Sequence, residues 1–423
     1  MKFEATKRQK DIYLQGFAGT KPVVPVRFDK LEAMAKQKMS KEAFAYIAGG
    51  AGLESTMENN RRGFDAYQII PSMLQDVAKR DTSIQLFGYQ LPAPILTAPI
   101  GVLELAHPGA DIDVARAASG LGLPMIFSNQ ASFPMEKCAA QMGSSPRWFQ
   151  LYWSKSDELT KSLLHRAADC GCSAIVLTLD TTMLGWRPRD LDLAYLPFLG
   201  GMGIAQYVSD PIFQEMIRDP AFLASITNEG GFSIRKLVNL IRLVNKFKGG
   251  SFFEKLRKKT PIAAVRKFTE IYSRPSITWK ELAFLKKHSK LPILLKGILS
   301  AADAKQAIEY GMDGIIVSNH GGRQIAGAIS AVKALKGVVA AVDGKIPVLM
   351  DSGIRDGSDI FKAIAIGAKA VCIGRPYAYG LAIAGEAGVR EVLQNLMADF
   401  ELTMGLCGCR TIKDIGPEKL TNP

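Results

Sequence analysis

Residues 314–324 read GIIVSNHGGRQ. Four residues, Gly314 to Val317, run without polar alternation into a turn. An unbroken apolar run of this length suits a strand buried on both faces, as in a parallel sheet. The turn that follows is chemically pointed. Ser318, Asn319 and His320 come first, and then Gly321 and Gly322 let backbone approach a ligand closely. Arg323 stands where it can hold an anion beside the histidine. Histidine changes charge near neutral pH and serves as a general base there, and the chain has only four of them.

Outward from this stretch the same unit recurs: an apolar run, a polar loop, a helical pattern. The runs are Pro94–Gly101, Pro124–Gln130, Arg147–Tyr152, Ala174–Asp180, Pro292–Gly297, Gly314–Gly321, Ile346–Gly353 and Ala370–Arg375. Between them, Ser300-Ala-Ala-Asp303 opens a helix with a capping pattern that Gly311 closes, and DGSDIFKAIAIGAK ends its helix at Gly367. Eight strands alternating with helices predict an α/β fold, a closed (β/α)8 TIM barrel. No G-x-G-x-x-G opens a first βα unit, which argues against an open doubly wound sheet. About ninety residues separate the fourth strand from the helix at Thr278-Trp279, far beyond ordinary loop length. The expected layout is a single domain over 1–423. It has an N-terminal helical extension (1–92), a barrel (93–187 and 276–395), a lid-like insertion (188–275) and a C-terminal tail (396–423).

The strand ends carry the chemistry. Gln150, Tyr152, Asp180, Lys296, Ser318, His320, Asp351 and Arg375 all lie at the C-terminal ends of their runs, and in a barrel those ends converge on one face. Lys296 follows the apolar Ile293-Leu294-Leu295, so a mere surface role fits poorly; a lysine in a barrel mouth needs an anion or a carbonyl. Asp351-Ser-Gly-Ile-Arg355 and Ile373-Gly374-Arg375 end the seventh and eighth runs. Glycine N–H groups and two arginines there suit a phosphate, so a phosphorylated ligand is expected on physical grounds.

Composition sets limits. The net charge of +13 is concentrated: residues 231–270 hold eleven Lys/Arg against Glu254 and Glu270, a net +9. The remainder is nearly balanced, which argues against nucleic acid as a partner. The segment IRKLVNLIRLVNKFK (234–248) reads as amphipathic, so docking on a membrane surface is a secondary expectation. No run of about 18 apolar residues predicts a spanning helix, and the charged N-terminus lacks the apolar core of a signal peptide. A cytoplasmic protein is expected. Cys170/Cys172 and Cys407/Cys409 are spaced C-x-C, unlike common zinc pairs, so buried thiols and no metal are expected.

Taken together, SNHGGRQ, LLKG, QLY, LTLD, DSGIR and IGRP resemble, in this order and spacing, the FMN-dependent L-2-hydroxy-acid oxidase family (glycolate oxidase, lactate oxidase, flavocytochrome b2). The resemblance covers roughly residues 25–187 and 276–416. IYLQGFAG, YIAGGAG and the long insertion look most like lactate 2-monooxygenase within that family. The resemblance implies FMN as cofactor and a small L-2-hydroxy acid, L-lactate above all, as substrate. With O2 as acceptor, the product would be acetate, CO2 and water. The alternatives are lactate oxidase chemistry, giving pyruvate and hydrogen peroxide, and a quinone-linked dehydrogenase held at a membrane. It also implies a homo-tetramer or octamer.

By the same resemblance His320 would be the base and Asp180 its partner. Tyr46, Arg187 and Arg323 would hold the substrate carboxylate, and Tyr152 would reach the substrate oxygen. Lys296 would stabilise reduced flavin. The backbone of Pro99, Ile100 and Gly101 would pass the flavin ring, and Ser128, Gln150 and Thr178 would bind its polar edge. Ser318, Asp351, Gly353, Arg355, Gly374 and Arg375 would hold the ribityl chain and phosphate. The chain departs from the pattern at Gln130, where glycolate oxidase-like members carry Trp, and at Gly101, where many carry Ala.

Overall fold

A computed structural model describes residues 4–226, 240–241, 243–247 and 251–421. A short hairpin, β1 (Ile84–Leu86) and β2 (Tyr89–Leu91), precedes the barrel. Then come β3 (Ile95–Thr97), β4 (Met125–Phe127), β5 (Arg147–Leu151), β6 (Ile175–Thr178), β7 (Ile293–Ile298), β8 (Gly314–Val317), β9 (Val348–Met350) and β10 (Ala370–Ile373). Each lies within an apolar run of the sequence, except that β7 continues one residue beyond its run, to Ile298. They pair in parallel and in chain order, and β10 closes on β3.

Each barrel strand is buried on both sides, and its two-residue period sorts its side chains into two layers. Leu96, Ile126, Trp148, Val176, Leu294, Ile316, Leu349 and Cys372 form one cluster inside the barrel. Their neighbours, such as Ile95, Phe149, Leu177, Leu295, Val317 and Met350, pack outward under the helices. The same period carries the inward face two residues further, to Gln150, Thr178, Lys296, Ser318, Asp351 and Gly374. The polar floor of the site is thus the next layer above the apolar plug.

The helices start and stop where their caps lie. Ser300 accepts from the Asp303 N–H at the start of Ala301–Glu309. Asp356 caps Gly357–Ile366, which ends at Gly367 with φ +117°.

Two boundary expectations need correction. The N-terminal extension is helical at Ala5–Phe17, Phe28–Lys38, Lys41–Ala48 and Ser55–Asp65, but residues 84–91 form the β1–β2 hairpin. Its sequence, IQLFGYQL, alternates apolar and polar, and its turn puts Phe87 and Gly88 at positive φ, the hairpin geometry. The hairpin closes the N-terminal end of the barrel: Ile84, Leu86 and Leu91 join the inner cluster, and Phe87 meets Trp148 edge-on at 5.5 Å. At the other end, the helix Arg375–Leu406 runs straight through 395/396, where the tail was expected to begin. Its one break is at Ala384–Gly385, well before that point.

The insertion is built of short helices, Pro188–Asp192, Ala205–Val208, Pro211–Arg218, Pro220–Ser225, Phe252–Arg257 and Thr260–Ile271. Its buried aromatics stack on one another: Phe198 and Tyr207 lie 5.1 and 4.8 Å from Phe268. They belong to the same apolar cluster as the outer face of the barrel strands. Most of the amphipathic segment 234–248 lies outside the described residues. No helix among the described residues is long and apolar enough to cross a membrane. The six cysteines are unpaired thiols, five of them buried.

Candidate active site

The C-terminal ends of the strands open into a cleft of about 1120 Å³, its mouth included. Tyr46, Pro99, Ile100, Gly101, Tyr152, Thr178, Arg187, Lys296, His320, Arg323, Asp351, Gly353, Arg355, Gly374 and Arg375 line it. Asp180, Ser128, Gln150 and Ser318, the other residues expected at the site, stand directly behind this wall. Ser318 Oγ accepts from Lys296 Nζ at 2.8 Å and from the His320 N–H at 3.0 Å. Ser128 Oγ accepts from the Gln130 N–H, and Gln150 Oε1 from the Asn129 N–H.

His320 is placed by the turn after β8. Its Nδ1 lies 2.8 Å from Asp180 Oδ1 at the end of β6. With the proton on Nδ1 donated to that carboxylate, Nε2 keeps a lone pair for the cleft. Burial disfavours the imidazolium more than Asp180 favours it, so the pKa of His320 falls below 6.5. The histidine is therefore neutral at pH 7 and ready to accept a proton. Asp180 is buried too, which by itself raises its pKa, but His320 and Lys296 overcome this and hold it below 3.8. Thr181, which sequence reasoning did not single out, donates to Asp180 Oδ1 at 3.0 Å and lies 3.3 Å from His320 Nδ1.

Lys296 sits where β7 and β8 slip register. Gly297, at φ +107°, makes that slip feasible: a Cβ there would come within 3.0 Å of Asp180. Lys296 Nζ pairs with Asp351 Oδ2 at 2.9 Å. Burial favours the neutral amine, yet Asp351 and Asp180 prevail and keep the lysine firmly charged. Tyr152, at the end of β5, has its phenol pushed up to about 12 by burial and by Asp180, so it is a hydrogen-bond donor at neutral pH.

Four arginines put positive charge into the cleft wall: Arg187 is buried, and Arg323, Arg355 and Arg375 are half-buried. Arg323 donates to the carbonyls of Tyr46 and Gly49 at 2.5 and 2.8 Å and lies over the Tyr46 ring. Arg187 donates to Arg323 O and to Gln324. Burial and the neighbouring Arg187 bring Arg323 down to about 9. On the far side, burial and Arg375 bring Arg355 down to about 10. Arg375 donates to the carbonyls of Ile47, Gly49 and Gly321. Among the described residues, none of the four has a carboxylate within ion-pair distance. Cations set into the cleft wall without counter-ions mark two places for ligand anions, one beside His320 and one beside Gly353 and Gly374.

The residues fit FMN. Gln150 Nε2 and Thr178 Oγ1 are fully buried without a hydrogen-bond partner in the protein, which suits the polar edge of a ring. At Gly374 a Cβ would meet nothing nearer than 3.9 Å, so its backbone is open to the cleft beside the arginine pair. Sequence reasoning also missed Ser352, which lines the cleft at φ +78°, and Phe198 and Tyr272, which the insertion contributes to its wall.

The chain is 40% identical to an FMN-dependent alpha-hydroxy acid dehydrogenase of Penicillium citrinum, over 93% of this chain and 90% of that one. It is 39% identical to an L-lactate oxidase of Lysinibacillus sphaericus, over 96% of this chain and 95% of that one. Among solved structures, mandelate oxidase with (S)-4-hydroxymandelic acid superposes with a TM-score of 0.76 at 33% identity, covering 94% of this chain and 98% of that one. The family description FMN-dependent dehydrogenase matches residues 35–422, and with the barrel, the His320–Asp180 pair and the two anion sites already in place, the chain belongs to that family.

Proposed function

We propose that this FMN-dependent oxidoreductase acts on a small L-2-hydroxy acid, L-lactate first, with O2 as the acceptor. The observation that carries this reading is the His320–Asp180 pair facing the same cleft as the unpaired guanidiniums of Arg187 and Arg323. A 2-hydroxy acid presents a carboxylate and a hydroxyl on adjacent carbons, which is what such a pairing recognises.

FMN, when bound, takes up the hydrogen and the two electrons that leave the α-carbon. The protein does the rest. Tyr46, Arg187 and Arg323 orient the carboxylate, and the Tyr152 hydroxyl points the substrate oxygen. His320 Nε2 removes the hydroxyl proton, and Asp180 stabilises the imidazolium. Lys296, kept charged by Asp351, supplies positive potential at the cleft floor. Phe198 and Tyr272 extend the apolar wall of the cleft and slow exchange with solvent. A closed roof keeps the 2-keto acid beside hydrogen peroxide, which favours acetate, CO2 and water as products. Early escape of the keto acid gives pyruvate and peroxide instead, a second reading that the similarity to an L-lactate oxidase supports.

The test is a visible spectrum of the purified protein, then anaerobic L-lactate. Absorption near 450 nm that bleaches at once supports flavin, substrate class and base together. Admitting air and assaying acetate against pyruvate plus peroxide separates the two oxygen outcomes. Yellow protein that L-lactate does not bleach refutes L-lactate as substrate.

A further inference from the structure

Ser352 lies in the turn just after β9, between Asp351 and Gly353, at φ +78°. Residues other than glycine rarely take that conformation, and they persist there only when their surroundings hold them. The holding group is the serine's own hydroxyl. Oγ donates to Asp351 Oδ1 at 2.7 Å. It accepts from the Gly321 N–H at 2.9 Å and the Asn319 N–H at 3.3 Å. One donor and two acceptor positions are thereby all used.

The partners come from the two halves of the site. Asp351 offers its other oxygen to Lys296 Nζ at 2.9 Å. Asn319 and Gly321 flank His320, which is itself at φ +56° with its imidazole on Asp180. A shift of Ser352 would be felt by the base and by the buried cation at once.

We propose that the Ser352 hydroxyl is a positioning group: it ties the His320 turn to the Lys296–Asp351 pair, and by sharing Asp351's negative charge it leaves more of the Lys296 charge available to the cleft. This rests on the roles given to His320 and Lys296 under the proposed function. A hydroxyl that only relieved local polarity would not bridge two separately built groups at the cost of a strained backbone.

Ser352→Gly and Ser352→Ala, each in the flavin-loaded enzyme, test the tie. Both remove Oγ, but only the glycine also removes the strain. Both variants are expected to reduce flavin with L-lactate about tenfold more slowly, the scale of one lost hydrogen bond. Both are expected to shift the flavin midpoint potential to more negative values, because Asp351 then neutralises Lys296 more fully. An effect confined to the alanine variant would trace to strain and overturn the proposal. If the alanine variant fails to fold, the glycine variant alone decides. A glycine variant with the wild-type potential overturns the proposal and leaves the proposed function standing. A wild-type enzyme whose flavin no L-2-hydroxy acid reduces overturns both.

Discussion

Replacing Asp180 by Asn keeps the side chain's shape, because the Asn Oδ1 can still accept the His320 Nδ1 proton, but it deletes the charge. The size of the effect follows from the 2.8 Å contact. A hydrogen bond to a charged group contributes about 1.5–3 kcal/mol. A unit charge about 4 Å from the imidazolium is worth about 4 kcal/mol at an effective dielectric of about 20. These describe one contact in two ways and are not added. The barrier to proton removal should rise by about 2–4 kcal/mol, slowing flavin reduction about 30- to 1000-fold. The pH profile supplies a second signature. His320 works deprotonated, and burial already holds its pKa below 6.5 against the upward pull of Asp180. The wild-type rate is therefore retained at neutral pH and lost as pH falls through that lowered pKa. Without Asp180 the pull disappears, so the acid limb moves to still lower pH while the plateau drops. Anaerobic rapid mixing with saturating L-lactate across pH 4.5–8.5 reads both quantities. A plateau within threefold of wild type, or an acid limb displaced upward, would refute the assignment of Asp180 as the partner of the base.

Arg323→Lys keeps a cation but loses the guanidinium nitrogens that remain for a carboxylate once Nη1 has gone to Tyr46 O and Gly49 O. The KM for L-lactate should rise about 10- to 100-fold with FMN content unchanged, and an unmoved KM would count against Arg323 as a carboxylate ligand. Asp111 is wholly buried, and burial raises its pKa to about 7 although the N–H groups of Ser132 and Phe133 oppose the rise. Its folded pKa lies above its ordinary 3.8, so its contribution to stability is complete below about pH 4 and is lost as pH rises to 7, a swing of about 4 kcal/mol. Asp111→Asn should therefore melt higher than wild type at pH 8 by more than at pH 4.5, and equal differences at both would refute the raised pKa. Glu104 holds the insertion through Lys246 at 2.5 Å and the Gly203 N–H at 3.1 Å. Glu104→Gln should loosen that roof and raise the share of pyruvate and peroxide among the products; an unchanged ratio would remove the insertion from control of the oxygen outcome.

The eight strands were legible because each is an apolar run buried on both faces, and counting by two from its inner residue leads to the site. From Val176 the count leads to Thr178 and Asp180; from Leu294 it leads to Lys296. A barrel turns such positions into a place, since its strand ends must converge. No comparable rule covers residues off the strands. The β1–β2 hairpin alternates like a strand, but its role, plugging the barrel against Trp148, depends on closure that no local pattern announces. Phe198 and Tyr272 reach the cleft from an insertion whose helices have no fixed relation to the barrel axis. Ser352 is the most telling case. By the count of two it should point outward, because Leu349 and Asp351 are the inward residues of its run. Its left-handed backbone breaks the alternation and turns its hydroxyl back toward Gly321 and Asn319, some thirty residues earlier in the chain. The sites hardest to read from sequence are thus those where the backbone departs from the period on which the reading rests, and at Ser352 the cost of that departure is offset by three hydrogen bonds that meet on one hydroxyl.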